Sequence, residues 1–459
     1  MGLHKKKPIK RREFLAGIAS VPLLGTTRDV EESKTGLKTS MPVKKTDSLG
    51  MGIIGFGNRG AELVKALDAE GLNTEIRGVC EVNDQRRERG LVAADSGAGA
   101  YKNYIDLLDD NNIDAVIIST PDHWHAPMAI DAAMRGKHVY LEKCMTRTPE
   151  EAVVLRDAVR KSGVVFQLGH QGRQRDLNIK ARELIDRDTL GKITLIETTT
   201  NRNDPGNGWK AEWEDSEDIT NIDWDLFQGP LSEKHAFSPE RYFGWRNFWD
   251  YGTGMSGDLL SNEFDAINSI LDLGIPDSAI ATGGTYFHLD GREVPDVFQA
   301  AFEYPEQGLT LLYSGTLASG IPRGTLIMGR DATLELGRIL SVWADEKSIK
   351  YKSRIKAGII DPAAPFVNYM KDQDRVDAIT SATTRYYADR GLDFTYTDGK
   401  QVSTTGLHLE EWLSCIRNGR RTSCNIDRGF EVAIAAHMAT FSYHEGRKVK
   451  WDALNETII

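Results

Sequence analysis

From Leu49 to Leu168 the chain alternates short, mainly apolar runs with longer stretches whose apolar residues recur every three or four positions. Met51–Ile54, Ile76–Cys80, Ala115–Ser119, His138–Leu141 and Val164–Leu168 read as buried parallel strands. Between them Ala61, Leu63, Val64 and Leu67 repeat at helical spacing, and Asp84–Ala94, Tyr101–Leu108, Ala126–Arg135 and Pro149–Lys161 read as further helices. This alternation predicts an α/β, doubly wound parallel sheet, whose ligands lie at the carboxyl ends of its strands. Thr120, Pro121 and His125 follow one such end, and Glu142 and Lys143 follow another, so these five are candidates to line a cofactor pocket.

After Leu190 the rhythm changes. Leu190–Thr200, Phe298–Tyr304 and Leu309–Ser314 read as strands, the last two joined by a turn at 305–308. Residues 201–256 are loop-rich and aromatic, with Trp209, Trp213, Trp224, Trp245 and Trp249 beside Tyr242, Phe243 and Tyr251. Such rings either offer faces to sugar C–H groups or pack as a cover over the sheet. Arg241 and Arg246 in the same stretch either bind an anionic substituent or pair with local acids. Residues 341–402 are polar and irregular, as in a long insertion or an oligomer arm, and Leu407–Arg417 and Gly429–Tyr443 read as helices.

The first strand opens directly onto Gly55-Phe56-Gly57-Asn58-Arg59-Gly60, a G-x-G-x-x-G turn, and the second ends at Glu81, 21 residues after Gly60. Each position has a physical role. Gly55 allows the tight turn, Gly57 lets backbone N–H groups approach a pyrophosphate, and Gly60 lets helix and strand pack closely. The helix N-terminus faces the anion. Glu81 can accept hydrogen bonds from the adenosine ribose, and it repels the 2′-phosphate that Arg86 and Arg87 would otherwise suit. The expected cofactor is therefore NAD.

Charge and cysteine content narrow the partners. The net charge is −10, and residues 1–30 hold seven Lys/Arg against two Asp/Glu, contributing +5 and leaving −15 for the remainder. That balance argues against nucleic acid and anionic membrane surfaces as partners. Cys80, Cys144, Cys415 and Cys424 are scattered without CxxC spacing, so neither a zinc site nor a redox pair is indicated. His123 and His125 lack the accompanying acids or cysteines of a metal site and read as flanks of the cofactor pocket. Residues 1–47 read as a leader and linker. The pair Arg11-Arg12, followed by Glu13-Phe14-Leu15 and a mildly apolar run, resembles a twin-arginine export signal, which implies a periplasmic or otherwise exported protein.

The GFGNRG turn, the STPDHWHAPMA loop at 119–129, VYLEKCMT at 139–146 and GTGMSGDLLSNEFDAINSIL at 252–271 together resemble the glucose–fructose oxidoreductase and inositol dehydrogenase family, Gfo/Idh/MocA. The resemblance implies a Rossmann domain at 48–169 and, at 170–459, a substrate domain with a large open, mainly antiparallel sheet. It implies terminal helices packing back near the Rossmann domain and an exposed open sheet that pairs with another subunit, so a homo-oligomer is expected. A sugar or polyol would lie between the open sheet and the nicotinamide. The Lys of the family's EKP motif matches Lys143 and implies proton transfer there. The family's D-x-x-x-H-x-x-D pattern falls on Asp258, Asn262 and Asp265, and His170 enters the second domain facing either the substrate or a junction hydrogen bond.

Two positions depart from that pattern. Cys144 replaces the Pro of EKP, which predicts a trans Lys143–Cys144 peptide. Its thiol is either reactive beside a cation or a small buried filler. Asn262 replaces the common His, and an amide holds a hydroxyl without exchanging a proton near neutral pH. The leading expectation is thus an exported NAD-dependent oxidoreductase of sugars or polyols. A redox-neutral, NAD-dependent glycosidase and a non-catalytic sugar-binding protein are the alternatives.

Overall fold

The computed structural model describes residues 48–69, 72–203, 209, 219–369, 394–397 and 400–459. The leader, Trp213 and residues 370–393 of the expected insertion lie outside the described residues. The first sheet has six parallel strands: β1 (Leu49–Ile54), β2 (Thr74–Cys80), β3 (Gly99–Tyr101), β4 (Ala115–Ile118), β5 (His138–Leu141) and β6 (Phe166–Leu168). Their order is β3-β2-β1-β4-β5-β6, so the winding reverses between β1 and β4 and a crevice opens at the carboxyl ends of that pair.

Local sequence explains these elements. All six residues of β1 are buried, as a strand covered on both faces requires. A Cβ at Gly52 would stand 2.7 Å from Leu107, so glycine lets the helix Tyr104–Leu108 sit directly on the strand. The helix Pro149–Ser162 starts at a capping box formed by Thr148 and Glu151, with Pro149 at its first position, and it stops at left-handed Gly163.

The second sheet is mixed and mostly antiparallel, with ten strands: β7 (Ile193–Asn201), β8 (Ser278–Gly284), β9 (Val297–Tyr304), β10 (Leu309–Thr316), β11 (Thr325–Gly329), β12 (Ala332–Leu336), β13 (Leu340–Ala344), β14 (Val367–Tyr369) and, after a separate hairpin of β15 (Phe394–Thr397) and β16 (Lys400–Ser403), β17 (Val449–Asp452) and β18 (Thr457–Ile458). β7 and β10 pair in parallel and the other contacts are antiparallel. Along β9 the alternation is strict: Phe298, Ala300, Phe302 and Tyr304 point inward, while Val297, Gln299, Ala301 and Glu303 are half-buried on the open face. The inner face packs on the helices Ser261–Leu271 and Ile426–Glu445, with Phe264 edge-on to Phe302 at 5.6 Å. The helix Thr404–Asn418 places Leu409, Trp412, Leu413 and Ile416 against Met51, Ile53, Ala115, Ile117 and Tyr140, so a late segment completes the core of the first sheet.

Three expectations are corrected. Tyr101 belongs to β3, because Gly99–Tyr101 pairs with Gly78–Cys80, and the next helix begins at Tyr104 after its Asn103 cap. The segment Thr120–His125 is more ordered than a loop: it forms a tight turn at Asp122–Trp124, and His125 starts the helix His125–Met134. The described part of 341–402 is not all irregular, since β13 and β14 extend the β11–β12 hairpin and a short helix, Lys352–Lys356, lies between them. β13 has five residues, nearly all buried, and β14 only three, so neither shows an alternating period in sequence. Among the described residues no helix is long and apolar enough to cross a membrane.

Candidate active site

The glycine turn closes the carboxyl end of β1. Gly55 has φ +88°, donates its N–H to the Cys80 carbonyl at 2.8 Å, and accepts from Ser119 Oγ at 2.8 Å. A Cβ at Gly60 would sit 2.3 Å from the Gly55 oxygen, which is the close helix–strand approach that glycine permits. A Cβ at Gly57 would meet nothing nearer than Arg86 Nη1 at 3.6 Å, so the space before the turn is open for a pyrophosphate. The helix Asn58–Ala69 presents its N-terminus there. Arg59 donates through Nε to Glu142 at 2.8 Å and contacts Glu62 at 3.2 Å, while its Nη2 is buried with no partner among the described residues. That unsatisfied donor and the open space suit a dinucleotide phosphate.

Glu81 is buried and braces the turn. One carboxylate oxygen accepts the Phe56 N–H at 2.8 Å and the other the Asn83 N–H at 3.0 Å. Each oxygen retains a lone pair for a ribose hydroxyl. Arg87 is held by the Glu81 carbonyl and Asp84, and the Arg86 guanidinium lies over the Tyr242 and Phe243 rings. Neither arginine is set aside for a 2′-phosphate.

The next two strand ends are tied together. His125 Nδ1 lies 2.5 Å from the Cys144 carbonyl oxygen, and Nε2 lies 2.8 Å from that of Thr120, which follows Ser119 and precedes Pro121 at the mouth of β4. His123 turns away, donating to the Phe227 carbonyl at 2.8 Å, and burial pushes its pKa down to about 3. Among the described residues no group of His, Cys, Asp and Glu could hold a metal ion. Thr253 Oγ1 stands 2.8 Å from Asp122 Oδ2 and 3.0 Å from Cys144 Sγ, so one hydroxyl bridges a buried carboxyl and a buried thiol. Burial pushes both of those groups above their usual ranges. Cys144 is thus a buried filler rather than a reactive thiol, and the four cysteines are all free and buried. The Lys143–Cys144 peptide is cis, against the expected trans form. Tertiary contacts on both flanks, from His125 and Thr253 on one side and Asp258 on the other, override the local preference.

Lys143 leaves the end of β5 and meets Asp258. Its Nζ donates to the Asp258 carboxylate and, at 3.0 Å, to the Asp258 carbonyl. Asp258 is carried by Ser256–Leu260, a wide π-type turn that runs into the helix Ser261–Leu271; such bulges recur at functional sites. Trp209 Nε1 donates to the second carboxylate oxygen at 2.5 Å, and Arg246 Nε approaches the first at 3.4 Å. Burial raises the Asp258 pKa, but the charges of Lys143, Arg246 and Arg202 outweigh it and hold the carboxyl well below the usual range. Asn262 donates Nδ2 to the Asp258 carbonyl at 3.0 Å, the same oxygen that Lys143 contacts.

Asp265 is not part of this group. It is fully buried and clamped by Arg173, with contacts of 3.0 and 2.6 Å. His170 is buried within electrostatic reach of Asp265, Arg173 and Lys143; its Nδ1 has no partner among the described residues, and burial lowers its pKa to about 4. The aromatic stretch divides too. Trp224 stacks on Phe227 at 5.0 Å, and Tyr242 and Tyr251 are buried, forming a cover, whereas Trp209 reaches the site directly. Arg202, next to the end of β7, was not singled out from sequence, where nothing but its place after a strand marks it.

Residues 49–170 match a family described as the GFO_IDH_MocA oxidoreductase family, NAD-binding Rossmann fold. NAD is the cofactor of this fold, and Gly57, Arg59 and Glu81 are residues that would hold it. A glycosyl hydrolase family 109 protein of Shewanella pealeana is 31% identical over 173 residues, 34% of this chain and 38% of that protein. A levoglucosan dehydrogenase of Pseudarthrobacter phenanthrenivorans is 28% identical over 189 residues, 39% of this chain and 40% of that protein. The chain thus matches about two fifths of these relatives' length. Likeness to solved structures extends further. A levoglucosan dehydrogenase in complex with NADH and levoglucosan superposes with a TM-score of 0.63 at 19% identity, covering 88% of this chain and 99% of that one. WlbA dehydrogenase from Bordetella pertussis, in complex with NADH and UDP-GlcNAcA, gives 0.64 at 18%, covering 90% and 99%. At these identities the likeness shows the fold, with both sheets included.

Proposed function

We propose that the protein is an NAD-dependent oxidoreductase of a sugar, glycoside or polyol, with Lys143 as its proton-transfer group. The carrying observation is that the ammonium group at the end of β5 is fixed from the second sheet's side by Asp258, next to the glycine-turn crevice. Bound NAD supplies the hydride acceptor or donor. As the neutral amine Lys143 takes the proton from the reacting hydroxyl, and as the ammonium it returns that proton in the reverse direction. Asp258 and the carbonyl it shares with Asn262 fix where the amine stands, and Trp209 closes the far side of the carboxylate. Asn262 exchanges no proton, so the proton path runs through Lys143 rather than through the helix Ser261–Leu271.

Similarity to proteins named glycosyl hydrolase family 109 favours a second reading, in which a glycoside is oxidised transiently, loses its aglycone and is reduced again without net redox change. One assay separates the two. With NAD and a panel of sugars, polyols and aryl glycosides, steady NADH formation supports the dehydrogenase, and aglycone release without NADH supports the glycosidase. Sugar binding with neither outcome removes the enzymatic reading. Export is a further proposal resting on Arg11-Arg12 alone. Arg11→Lys with Arg12→Lys is expected to retain the protein in the cytoplasm, and export equal to the parent's in a fractionation assay contradicts it.

A further inference from the structure

Among the described residues, cations outnumber the carboxylates they serve around Asp258. Lys143 already satisfies the carboxylate with a direct ion pair, at side-chain exposures of 19% and 10%. Arg246 nonetheless lies 3.4 Å from the same oxygen, with its side chain 37% exposed and its guanidinium stacked over Trp245 at 4.2 Å. Arg202 follows β7, held at its backbone by Thr316 and Ser319, and its charge acts on Asp258 and on Tyr313. Among the described residues Arg202 forms no ion pair, and Arg246 meets no carboxylate other than Asp258. Other arginines of the neighbourhood pair with other acids. Arg241 meets Asp250 at 3.4 Å and Glu293 at 3.8 Å and stacks on Phe248, and Arg292 pairs with Asp290 at 2.7 Å.

The other acids nearby do not remove the excess. Glu263 lies beside Thr198 and Thr200 and acts on Tyr313. Asp122 is driven toward its neutral form by burial. Among the described residues three cations, Lys143, Arg246 and Arg202, therefore act on Asp258, in a protein whose net charge is −10. Guanidinium groups with unused N–H donors, one of them preoriented by an aromatic face, are suited to planar or tetrahedral oxyanions.

We infer that the substrate of this site carries an anionic substituent, a carboxylate as in a uronic acid or else a sulfate or phosphate ester, received by Arg246 and Arg202 beside Lys143. The inference rests on the oxidoreductase reading for the identity of the site, and it names the substrate class. The NAD-loaded full chain is tested with glucuronate and galacturonate against glucose and galactose, and with glucose 6-phosphate and glucose 6-sulfate. One acidic class is expected to exceed its neutral counterpart at least about tenfold in kcat/KM, with a KM that rises with salt. Arg246→Gln is expected to lower that acid-to-neutral ratio by about tenfold or more, and Arg246→Lys to restore part of it. Arg202→Gln serves if Arg246→Gln does not fold. Equal kcat/KM for acidic and neutral sugars in the parent, or a ratio that neither arginine variant moves, overturns the inference. If no sugar is turned over, the oxidoreductase reading fails separately, and calorimetry with the same compounds decides. Anion binding weakened by Arg246→Gln upholds the anion site, whereas no anion binding to the parent overturns it.

Discussion

Asp258 and Asp265 stand on one continuous helical stretch, and each meets a cation, yet their surroundings differ in every respect that matters for chemistry. Asp265 is fully buried and its oxygens are committed to a single guanidinium in a closed pair. Asp258 lies at the edge of the crevice, shares one oxygen between Lys143 and Arg246, and fixes a side chain that remains partly accessible. The wide turn at Ser256–Leu260 makes the difference, because it swings Asp258 toward β5 while Asp265 points into the helix packing. Proximity of a carboxylate to a cation thus distinguishes nothing by itself. Accessibility and the number of competing partners separate the architectural pair from the one that can hold a reacting group.

The contrast can be broken or sharpened by substitution. Lys143→Met is expected to cost about two to four orders of magnitude in turnover with NAD affinity retained, the usual scale for a positioned acid–base group. Steady-state kinetics and a nucleotide titration check it, and parental turnover contradicts the assignment. Stability should change little, since Arg246 and Trp209 still serve Asp258. Arg173→Met behaves oppositely. It strands a buried carboxylate and is expected to destabilise the fold by about 3–5 kcal/mol in urea unfolding. A loss under about 1 kcal/mol would make Asp265 as open as Asp258.

His170, between the two pairs, gives a pH signature. Its folded pKa of about 4 lies below the unfolded value of 6.5, so its contribution is present above pH 6.5 and is lost as pH falls from there toward 4. The loss amounts to about 2–3 kcal/mol, and His170→Asn is expected to remove that part of the acid slope in melting temperature. An unchanged slope contradicts its burial as a neutral ring. Asn262→Ala is the smallest effect, about 1 kcal/mol or a few-fold in kcat, because one amide hydrogen bond to the Asp258 carbonyl is lost. A loss as large as that of Lys143→Met would place Asn262 in the chemistry itself.

The first sheet was readable in sequence because its signals are local. Buried runs, the glycine turn and Glu81 lie close together in the chain, and five of the six strands fall within two residues of their expected limits, the short edge strand β3 being the one missed. The Lys143–Asp258 meeting was readable through family resemblance alone, since the two residues are 115 positions apart. The Arg173–Asp265 clamp left no local mark, and Asp265 was therefore grouped with the site. The cis Lys143–Cys144 peptide was missed because residue type gives the intrinsic preference, whereas His125, Thr253 and Asp258 supply the contacts that set it. β13 and β14 were hidden because they are only five and three residues long within an otherwise polar stretch.

The central claim, that a hydroxyl-bearing carbon gives up hydride at the Lys143 site, is tested most directly by rapid mixing of the NAD-loaded protein with its substrate. The substrate is prepared with and without deuterium at the reacting carbon, and the absorbance of reduced nicotinamide is followed. The account predicts that this band forms in the first turnover, more slowly with deuterium, whether it then accumulates as in a dehydrogenase or decays as in a redox-neutral glycosidase. Product formed with the nicotinamide never reduced, and at the same rate from both substrates, would contradict it.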